Sequence, residues 1–236
     1  MSSRQTSNWI SLSDMMTGLM LIFLLIAILT ISQVVTEQEQ RQELLDEFDT
    51  SQAEIYQELE NTFGKKSEDW GIEVTRDLVV KFNNPDLLFD SDSANLKPEY
   101  KAILDEFTPL YVGIINKEKY ADKITEIRIE GHTADYTERY PTYMSTVELS
   151  QARANSVLSY MRETIVFTNL TAPSQEKLTF WFSANGLGNG RALDDSSEYV
   201  HKSENQISPI SRRVEFRIVT NSDELIQQII NNELRE

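Results

Sequence analysis

One uninterrupted apolar run dominates the hydrophobic pattern of this chain. Residues 15–31 read MMTGLMLIFLLIAILTI and contain no charged side chain. Together with residues 9–12 and 33–35, most of which are apolar, the run reaches roughly the 20 residues that an α-helix needs to cross a bilayer. The pattern therefore predicts a single transmembrane helix, in a first segment of residues 1–35 that also includes a short N-terminal tail.

A secretory signal peptide is the competing interpretation of an apolar run near the N-terminus. It requires a basic leading region and a small-residue cleavage site, and the sequence ILTISQVVTEQEQ that ends this run has no A-x-A pattern. We therefore expect a retained anchor. Arg4 is the one basic residue before the run, and Glu37, Glu39 and Glu43 follow it. This bias places the N-terminus in the cytoplasm and the rest of the chain on the other side of the membrane.

Residues 36–70 are rich in helix-forming residues and contain no proline, which predicts a helical linker. A heptad on this segment puts Leu45, Phe48, Ile55 and Leu59 at a and d positions, together with several polar residues. The many acids of the same stretch would repel each other in a parallel dimer. A dimeric coiled coil and a solvated single helix that acts as a spacer both stay open.

A change of pattern near residue 71 marks a folded domain over residues 71–236. Apolar residues with one buried face predict strands, at residues 72–82, 124–130, 178–183 and 213–219. A helix led by Pro98 follows the first strand, and the capping-box spacing of Ser145 and Glu148 precedes a second helix. The order β-α-β-α-β-β predicts an α+β fold, closed by an amphipathic helix at residues 223–234.

Composition excludes several classes of function. The formal net charge of −16 leaves no basic patch for nucleic acid. The chain has no cysteine and no zinc spacing, P-loop or Gly-x-Ser-x-Gly elbow. His132 and His201 are its two histidines, and neither lies in a triad-like or metal-like pattern. We expect no catalytic residue, no metal site and no cofactor, and hence no enzyme.

Asp14 is an acid at the start of the apolar run. If the helix begins near Trp9, Asp14 lies roughly 7 Å inside it, where an ionised carboxylate costs several kcal/mol and calls for a partner, a cation or a proton. A carboxyl that is protonated when shielded and ionised when wetted can carry ions stepwise. The heptad, continued backwards, puts Asp14 at position e beside a dimer seam. Ser13 and Thr17 supply hydroxyls near it or fill space between helices. The alternative is an interfacial Asp before a span that starts at Met15.

The residues around Asp14 carry a first resemblance. The string WISLSDMMTGLM, residues 9–20, resembles the start of MotB-type stator subunits, in which an aromatic residue precedes an Asp-x-Met-Thr motif at the head of the only transmembrane helix. This resemblance implies that Asp14 carries the ion. It also implies that a homodimer of the chain sits inside a pentamer of four-helix partner subunits.

A second resemblance lies in the C-terminal domain. Its motifs are FDSDSANL at 89–96, GHT at 131–133, LSQAR at 149–153 and RRVE at 212–215, and they resemble the OmpA-like peptidoglycan-binding domain. The resemblance implies that Arg153 and an acid directly after GHT hold the carboxylate and the ammonium of the wall's diamino acid. It places Thr133, Leu149 and Arg213 in the same site. An Arg fork suits a carboxylate, and an Asp suits an ammonium.

Two positions depart from the OmpA-like pattern. Ala134 stands where the acid is expected, with Asp135 one residue later, and Thr146 stands where an asparagine is usual. The segment between Gly131 and Arg153 is also longer than usual, so a shifted loop would let Asp135 replace the missing acid. The alternative is a domain that keeps the fold as a dimerisation module.

The short tail, the acidic linker and the divergent loop after GHT are more similar to the ZorB family than to flagellar stators, whose tail is usually basic. ZorB proteins are the wall-anchored subunits of the Zorya anti-phage motors. This resemblance implies a proton-driven inner-membrane complex with a pentameric ZorA-like (MotA-like) subunit, and a periplasmic C-terminal domain. A flagellar or gliding MotB-type stator subunit, and a passive tether between inner membrane and cell wall, are the alternatives.

Overall fold

The computed structural model describes residues 3–203 and 206–221, with the backbone alone for residues 3–14, 40, 41, 43–49, 202 and 203. The chain divides into two compact units, Met1–Asp49 and Thr50–Glu236. The C-terminal helix predicted at residues 223–234 lies outside the described residues.

The first unit consists of the N-terminal part of helix α1, which spans Ser3–Phe63. Within it, Met15–Glu39 is a stretch of 25 residues with a mean hydropathy of 2.6. At a rise of about 1.5 Å per residue it is roughly 38 Å long, enough for the hydrocarbon core of a bilayer. Its large apolar side chains are exposed, from Met15 at 75% to Val35 at 46%. The segment has the length and the apolar surface of a membrane span.

The last turns of α1 belong to the second unit. Ile55, Leu59 and Phe63 are fully buried in its hydrophobic core. The compact unit begins at Thr50, within the segment predicted as a linker at residues 36–70. Ile55 and Leu59, which the heptad assigned to a possible dimer seam, therefore pack inside their own chain. A helix in a dimer seam and a helix in a domain core have the same apolar stripe, and they differ only in the surface against which that stripe packs.

The remaining described elements form an α+β unit around one sheet. Its helices are α2 Ser67–Trp70, α3 Pro85–Leu88, α4 Pro98–Ile115, α5 Tyr143–Glu163, α6 Ile165–Thr168, α7 Ala172–Trp181 and α8 Val200–Ser203. Its strands are β1 Ile72–Thr75, β2 Val79–Phe82, β3 Ile124–Gly131, β4 Phe182–Gly186 and β5 Val214–Thr220. Short 3₁₀ helices occur at Gly64–Lys66, Glu118–Tyr120 and Pro209–Ser211.

The sheet has the order β1-β2-β5-β3-β4, and β3 and β4 are its parallel pair. A parallel pair needs a crossover, which here contains α5, α6 and α7. The strand predicted at residues 72–82 is instead a hairpin, because the chain reverses at Leu78, whose φ is 59°. The register pairs Ile72 with Phe82 and Val74 with Val80. Even-numbered residues thus keep one face through the turn, so alternation alone could not reveal it.

Two further predictions need correction. The strand predicted at 178–183 begins at Phe182, because the preceding residues up to Trp181 form α7. The capping box of α5 lies one turn earlier than predicted, with Thr142 as N-cap and Ser145 as its N3 residue. The helix led by Pro98 and the strand at 124–130 are confirmed.

The core lies between the sheet and the helices, and aromatic rings connect the two layers. Phe107 of α4 lies 5.2 Å from the Phe82 ring and 4.9 Å from the Phe216 ring, measured between centroids. Phe63 at the end of α1 lies 5.0 Å from Phe107. Edge-on and tilted contacts of this kind add to the area that each ring buries. The end of α1, α4 and two central strands therefore share one core.

Candidate binding site at the end of the third strand

A cavity of about 250 Å³ opens beyond the carboxyl end of β3. Four of the residues predicted from the sequence line it, namely Thr133, Asp135, Leu149 and Arg153. The loop before α4, the loop after β3, helix α5 and the segment before β5 all contribute to its wall. The structure thus brings together residues that are up to about 120 positions apart in the sequence, from Asp92 to Arg212.

Backbone contacts fix the position of Thr133. Its N–H donates to the Gly188 carbonyl at 2.9 Å, and the N–H of Leu187 donates to the Gly131 carbonyl at 3.0 Å. Gly131 lies directly against α5, and a Cβ there would collide with the carbonyl oxygen of Ser150. The absence of a side chain at Gly131 therefore lets α5 approach β3 closely enough to place Arg153 beside Thr133.

Arg153 is held in place by backbone carbonyls. Its side chain comes from the buried face of α5, where the residue is only 6% exposed. Its Nε donates to the Ser93 carbonyl at 2.9 Å, and its Cζ lies 5.0 Å from the centre of the Phe89 ring. Burial, followed by the charge of Arg212, lowers the pKa of Arg153 to about 10, so it stays protonated at neutral pH.

Arg212 is a second cation at the cavity, and the sequence reasoning missed it. It lines the wall together with Arg153, and its charge is a cause of the lowered Arg153 pKa. In the part of the chain that the structure describes, neither guanidinium has a carboxylate within ion-pair distance. Two guanidinium groups without counter-ions favour an anionic ligand, and a carboxylate suits their fork geometry.

The hydroxyl of Thr133 is a third unmatched group. Thr133 is 3% exposed, and its Oγ1 has no hydrogen-bond partner within the described structure. Buried polar atoms are normally satisfied, so an orphan hydroxyl at the wall of a cavity indicates a missing partner. A ligand oxygen or nitrogen in the cavity would supply that partner.

The carboxylates of the cavity are Asp135, which is exposed to solvent, and Asp92, which is half-buried. Asp135 accepts a hydrogen bond from the N–H of Tyr136 at 2.7 Å. Asp92 was not predicted as a site residue and lies in the loop that Arg153 holds. Ala134 and Thr146 also line the cavity, so both departures from the family pattern fall within the site itself.

Arg213 does not line the cavity. It is 2% exposed, its Nε lies 2.6 Å from Glu215 Oε1, and its Nη1 donates to the carbonyls of Arg191 and Ser211. Side chains of adjacent residues in extended backbone point to opposite sides. The side chain of Arg212 therefore faces the cavity, and that of Arg213 faces the protein interior. The sequence could not show which of the two faces the ligand.

Arg213 belongs to a buried charge network on the other face of the sheet. Burial lowers the pKa of His132 to about 3, so its imidazole is neutral at physiological pH. Burial also raises the pKa of Glu130. Burial alone would also raise the pKa of Glu215. The positive charge near this carboxylate, including that of Arg213, has the larger effect, and the pKa of Glu215 is lowered. Both ring nitrogens of His132 lack a hydrogen-bond partner among the described residues.

Glu130, His132 and Glu215 present possible metal ligands within 4.8 Å of one another. Arg191, Arg213 and Arg217 also lie within ion-pair distance of the two carboxylates, Arg217 for instance 3.5 Å from Glu130. These arginines already balance the two carboxylates, so a divalent cation would add excess positive charge to a buried volume. We therefore assign this network to the stability of the sheet.

The predicted ion site lies on α1. Ser13 and Asp14 are part of the helix backbone, but their side chains are outside the described part of the structure. Thr17 is exposed on the same helix. The apolar stretch Met15–Glu39 begins directly after Asp14. Met15 is also the first residue whose side chain the structure describes.

Comparison with known proteins identifies the class first. The OmpA family profile matches residues 88–206. A MotB-like protein from Desulfovibrio vulgaris shares the fold, with a TM-score of 0.51, 20% identity, and coverage of 75% of this chain and 99% of that one. The cell wall anchor of the type VI secretion system from Pseudomonas aeruginosa is similar with a TM-score of 0.44 and 22% identity, and the match covers 69% of this chain and 96% of that one. The chain thus combines a domain of the OmpA class with a membrane-length helix.

A relative in sequence narrows the class further. The chain is 35% identical over 232 residues to the Zorya protein ZorB of Escherichia coli, an alignment that covers 96% of this chain and 94% of that protein. The chain belongs to the ZorB family.

Proposed function

We propose that this chain is the wall-anchored, stator-type subunit of an ion-driven motor in anti-phage defence, and that its cavity binds a carboxylate of peptidoglycan. The observation that carries the anchoring role is the pair of unneutralised guanidinium groups, Arg153 and Arg212, beside the unpartnered hydroxyl of Thr133. Leu149 supplies an apolar wall next to these polar groups. Such a site fits a peptide carboxylate on an apolar stem.

The defence role is supported by membership of the ZorB family, since the Escherichia coli relative is a Zorya protein. In this proposal α1 crosses the inner membrane once, with its N-terminus in the cytoplasm and the OmpA-type domain in the periplasm. Two copies of the chain lie inside a pentamer of ZorA-like (MotA-like) subunits. The periplasmic domain holds the complex against the wall, because ion flow can perform work on a target only when part of the machine cannot turn.

Asp14 is the proposed ion carrier. A carboxylate in a low-dielectric environment is unstable while it is charged, so it takes up a proton when shielded and releases it where water can reach it. Alternation between these states as the partner ring moves would couple proton flow to rotation. Thr17 follows Asp14 by three residues and so lies on the same helix face, where it can contribute a hydroxyl, and Ser13 is the residue directly before Asp14.

Retention on purified sacculi tests the anchoring role. The wild-type chain in detergent should sediment with sacculi, and Arg153→Ala should remain largely in the supernatant. Arg162→Ala is the matched control, because Arg162 is an exposed arginine on the same helix. Equal retention of wild type and Arg153→Ala would remove the anchoring proposal.

A phage-plating assay tests the ion-carrying role. Asp14→Asn, co-expressed with the partner membrane subunit, should lose protection while it still co-purifies with that subunit. Glu37→Gln is the control, since Glu37 is an acid outside the charge-free run at residues 15–31. Full protection by Asp14→Asn would leave a passive tether as the better description.

A further inference from the structure

A second depression in the surface lies further along the loop that Arg153 holds. Its volume is about 430 Å³, against about 250 Å³ for the cavity beyond β3, and the two depressions have no lining residue in common. The loop before α4 forms one wall, and the part of α5 that follows Arg153 forms the other. Its lining residues include Asn95, Leu96, Asn155, Ser156, Ser159 and Tyr160. We call this depression the α5 groove.

The α5 groove has the chemistry of a site for an uncharged polar ligand. Besides amide, hydroxyl and phenol groups, its lining contains one cation, Lys101, and one anion, Glu163, whose charges balance. Within the described residues, the hydroxyls of Ser156 and Ser159 make no hydrogen bond, so both can donate to a ligand and accept from it. The cavity beyond β3, in contrast, has two guanidinium groups in its wall.

Asn155 is held so that its amide nitrogen is the free end of its side chain. The side-chain oxygen of Gln151 accepts from the N–H of Gly186 at 2.8 Å, and its nitrogen donates to the Ala184 carbonyl at 2.8 Å. The same nitrogen donates to Asn155 Oδ1 at 3.0 Å. This contact fixes the side-chain oxygen of Asn155, so its NH₂ group remains as a pair of unused donors. The backbone of β4 thereby orients a donor that a ligand in the groove would meet.

Tyr160 supplies a fixed aromatic ring to the same groove. Its hydroxyl donates to Asp105 Oδ1 at 3.0 Å, and Lys101 Nζ lies 5.7 Å from the centre of its ring. The ring is half-buried and anchored at its polar end. An aromatic surface beside amide and hydroxyl groups matches a sugar ring, which has an apolar C–H face and hydroxyl groups along its edge.

The position of the groove fits a wall polymer whose peptide occupies the cavity. From Asn155 to Tyr160, the groove residues lie about 3–10 Å beyond Arg153 along the helix axis, at a rise of about 1.5 Å per residue. An extended peptide advances by ~3.3–3.6 Å per residue, so about two or three residues cover this distance. Wall peptides are short branches of a glycan strand. A peptide end at Arg153 therefore brings the strand close to the α5 groove.

We propose that the α5 groove binds a sugar of the glycan strand from which the anchored wall peptide branches. Asn155 and Ser159 hydrogen-bond to the sugar, and the Tyr160 ring packs against its apolar face. This inference rests on the proposed wall-binding function and deepens it, because it adds a second contact outside the cavity. Two contacts on one polymer strengthen binding, since the second contact forms within an existing complex.

The test compares two ligands by isothermal titration calorimetry on the full chain in detergent micelles. The first is the free stem peptide, released from purified wall by an amidase, and the second is the same peptide still attached to its disaccharide. Both present the same peptide end to the cavity, so the ratio of their affinities measures the contribution of the sugars. We expect the wild type to bind the disaccharide peptide about tenfold more tightly, as about two net hydrogen bonds would give.

Two substitutions in the groove should remove this advantage. Ser159→Leu removes a hydroxyl and fills part of the groove, and Asn155→Ala removes the fixed donor. Each should reduce the ratio to less than about threefold. The affinity for the free peptide should stay within about twofold of wild type, which also shows that the variants are folded. Thr179→Leu is the matched control and should keep the tenfold ratio, because Thr179 is an exposed hydroxyl residue of α7 that lines neither depression.

Four results would overturn the inference. They are equal affinities of the wild type for the two ligands, no binding of the disaccharide peptide at millimolar concentration, an unchanged ratio in Ser159→Leu, and the same loss of the ratio in Thr179→Leu. If sacculus retention still depends on Arg153 in these cases, the wall-binding proposal stands without the α5 groove. If retention does not depend on Arg153, the wall-binding proposal itself fails.

Discussion

Replacing Leu59 with alanine tests whether the last turns of α1 are part of the domain core. Leu59 is fully buried beside Ile55 and Phe63, at the end of a helix whose first part has the composition of a membrane span. A spacer helix in solvent would tolerate the change. A core helix would not, because the surrounding side chains close only part of the space that the leucine leaves.

The expected loss follows from the atoms removed. Leu→Ala takes away three buried carbons, which at about 0.8 kcal/mol each amounts to roughly 2.4 kcal/mol of transfer free energy. The cavity that remains adds to this, so we expect the free energy of unfolding to fall by about 3 kcal/mol, within the ~2–5 kcal/mol range for such substitutions. Gln57→Ala is the control, since Gln57 is exposed on the same helix and should change stability by less than about 0.5 kcal/mol.

Urea unfolding of the full chain in detergent micelles measures both variants, with the fluorescence of the buried Trp70 and Trp181 as the signal. A loss below about 0.5 kcal/mol for Leu59→Ala would refute the core assignment. A loss that grows as the protein is diluted would instead indicate the dimeric coiled coil that the heptad allowed, because only dimer stability depends on concentration.

The remaining substitutions probe the sheet, its buried charges and the cavity. Burial lowers the pKa of His132 from 6.5 to about 3. On acidification the unfolded state therefore takes up a proton before the folded state does. Between pH 6.5 and about 3, the free energy of unfolding should fall by up to ~1.4 kcal/mol per pH unit because of this residue. Replacement by Gln should reduce that slope in urea titrations at several pH values. Gly131→Ala should destabilise the domain by about 1–3 kcal/mol, because its Cβ would clash with α5. Gly113→Ala is the control: it lies at an open position of α4 and should stabilise the domain by about 1 kcal/mol. Equal shifts of the melting temperature in the two variants would contradict this. Arg213→Gln should cost about 3 kcal/mol, because it removes the closer of the two arginines that pair with the buried Glu215 carboxylate. Arg212→Gln should keep the fold and lose sacculus retention.

Local patterns in the sequence determined the features that do not depend on contacts with distant parts of the chain. The apolar run predicts a membrane span by its length alone, and Pro98 fixes a helix start because its ring suits the first helical turn. Thr133 and Arg153 were predicted from short motifs that resemble those of the OmpA-like domain, and both line the cavity. Each of these signals is contained within a few consecutive residues.

The tertiary structure decided what those faces meet. The apolar stripe with Ile55 and Leu59 fits a dimer seam or a core equally well, and only packing against the sheet and α4 selects the core. The choice between Arg212 and Arg213 depends on the direction of an extended segment, which no residue type specifies. Asp92 lies 61 residues before Arg153 and joins its site through backbone carbonyls that any residue would offer. Periodicity determines which side of an element is apolar, but the contacts between distant elements determine which charges share a cavity.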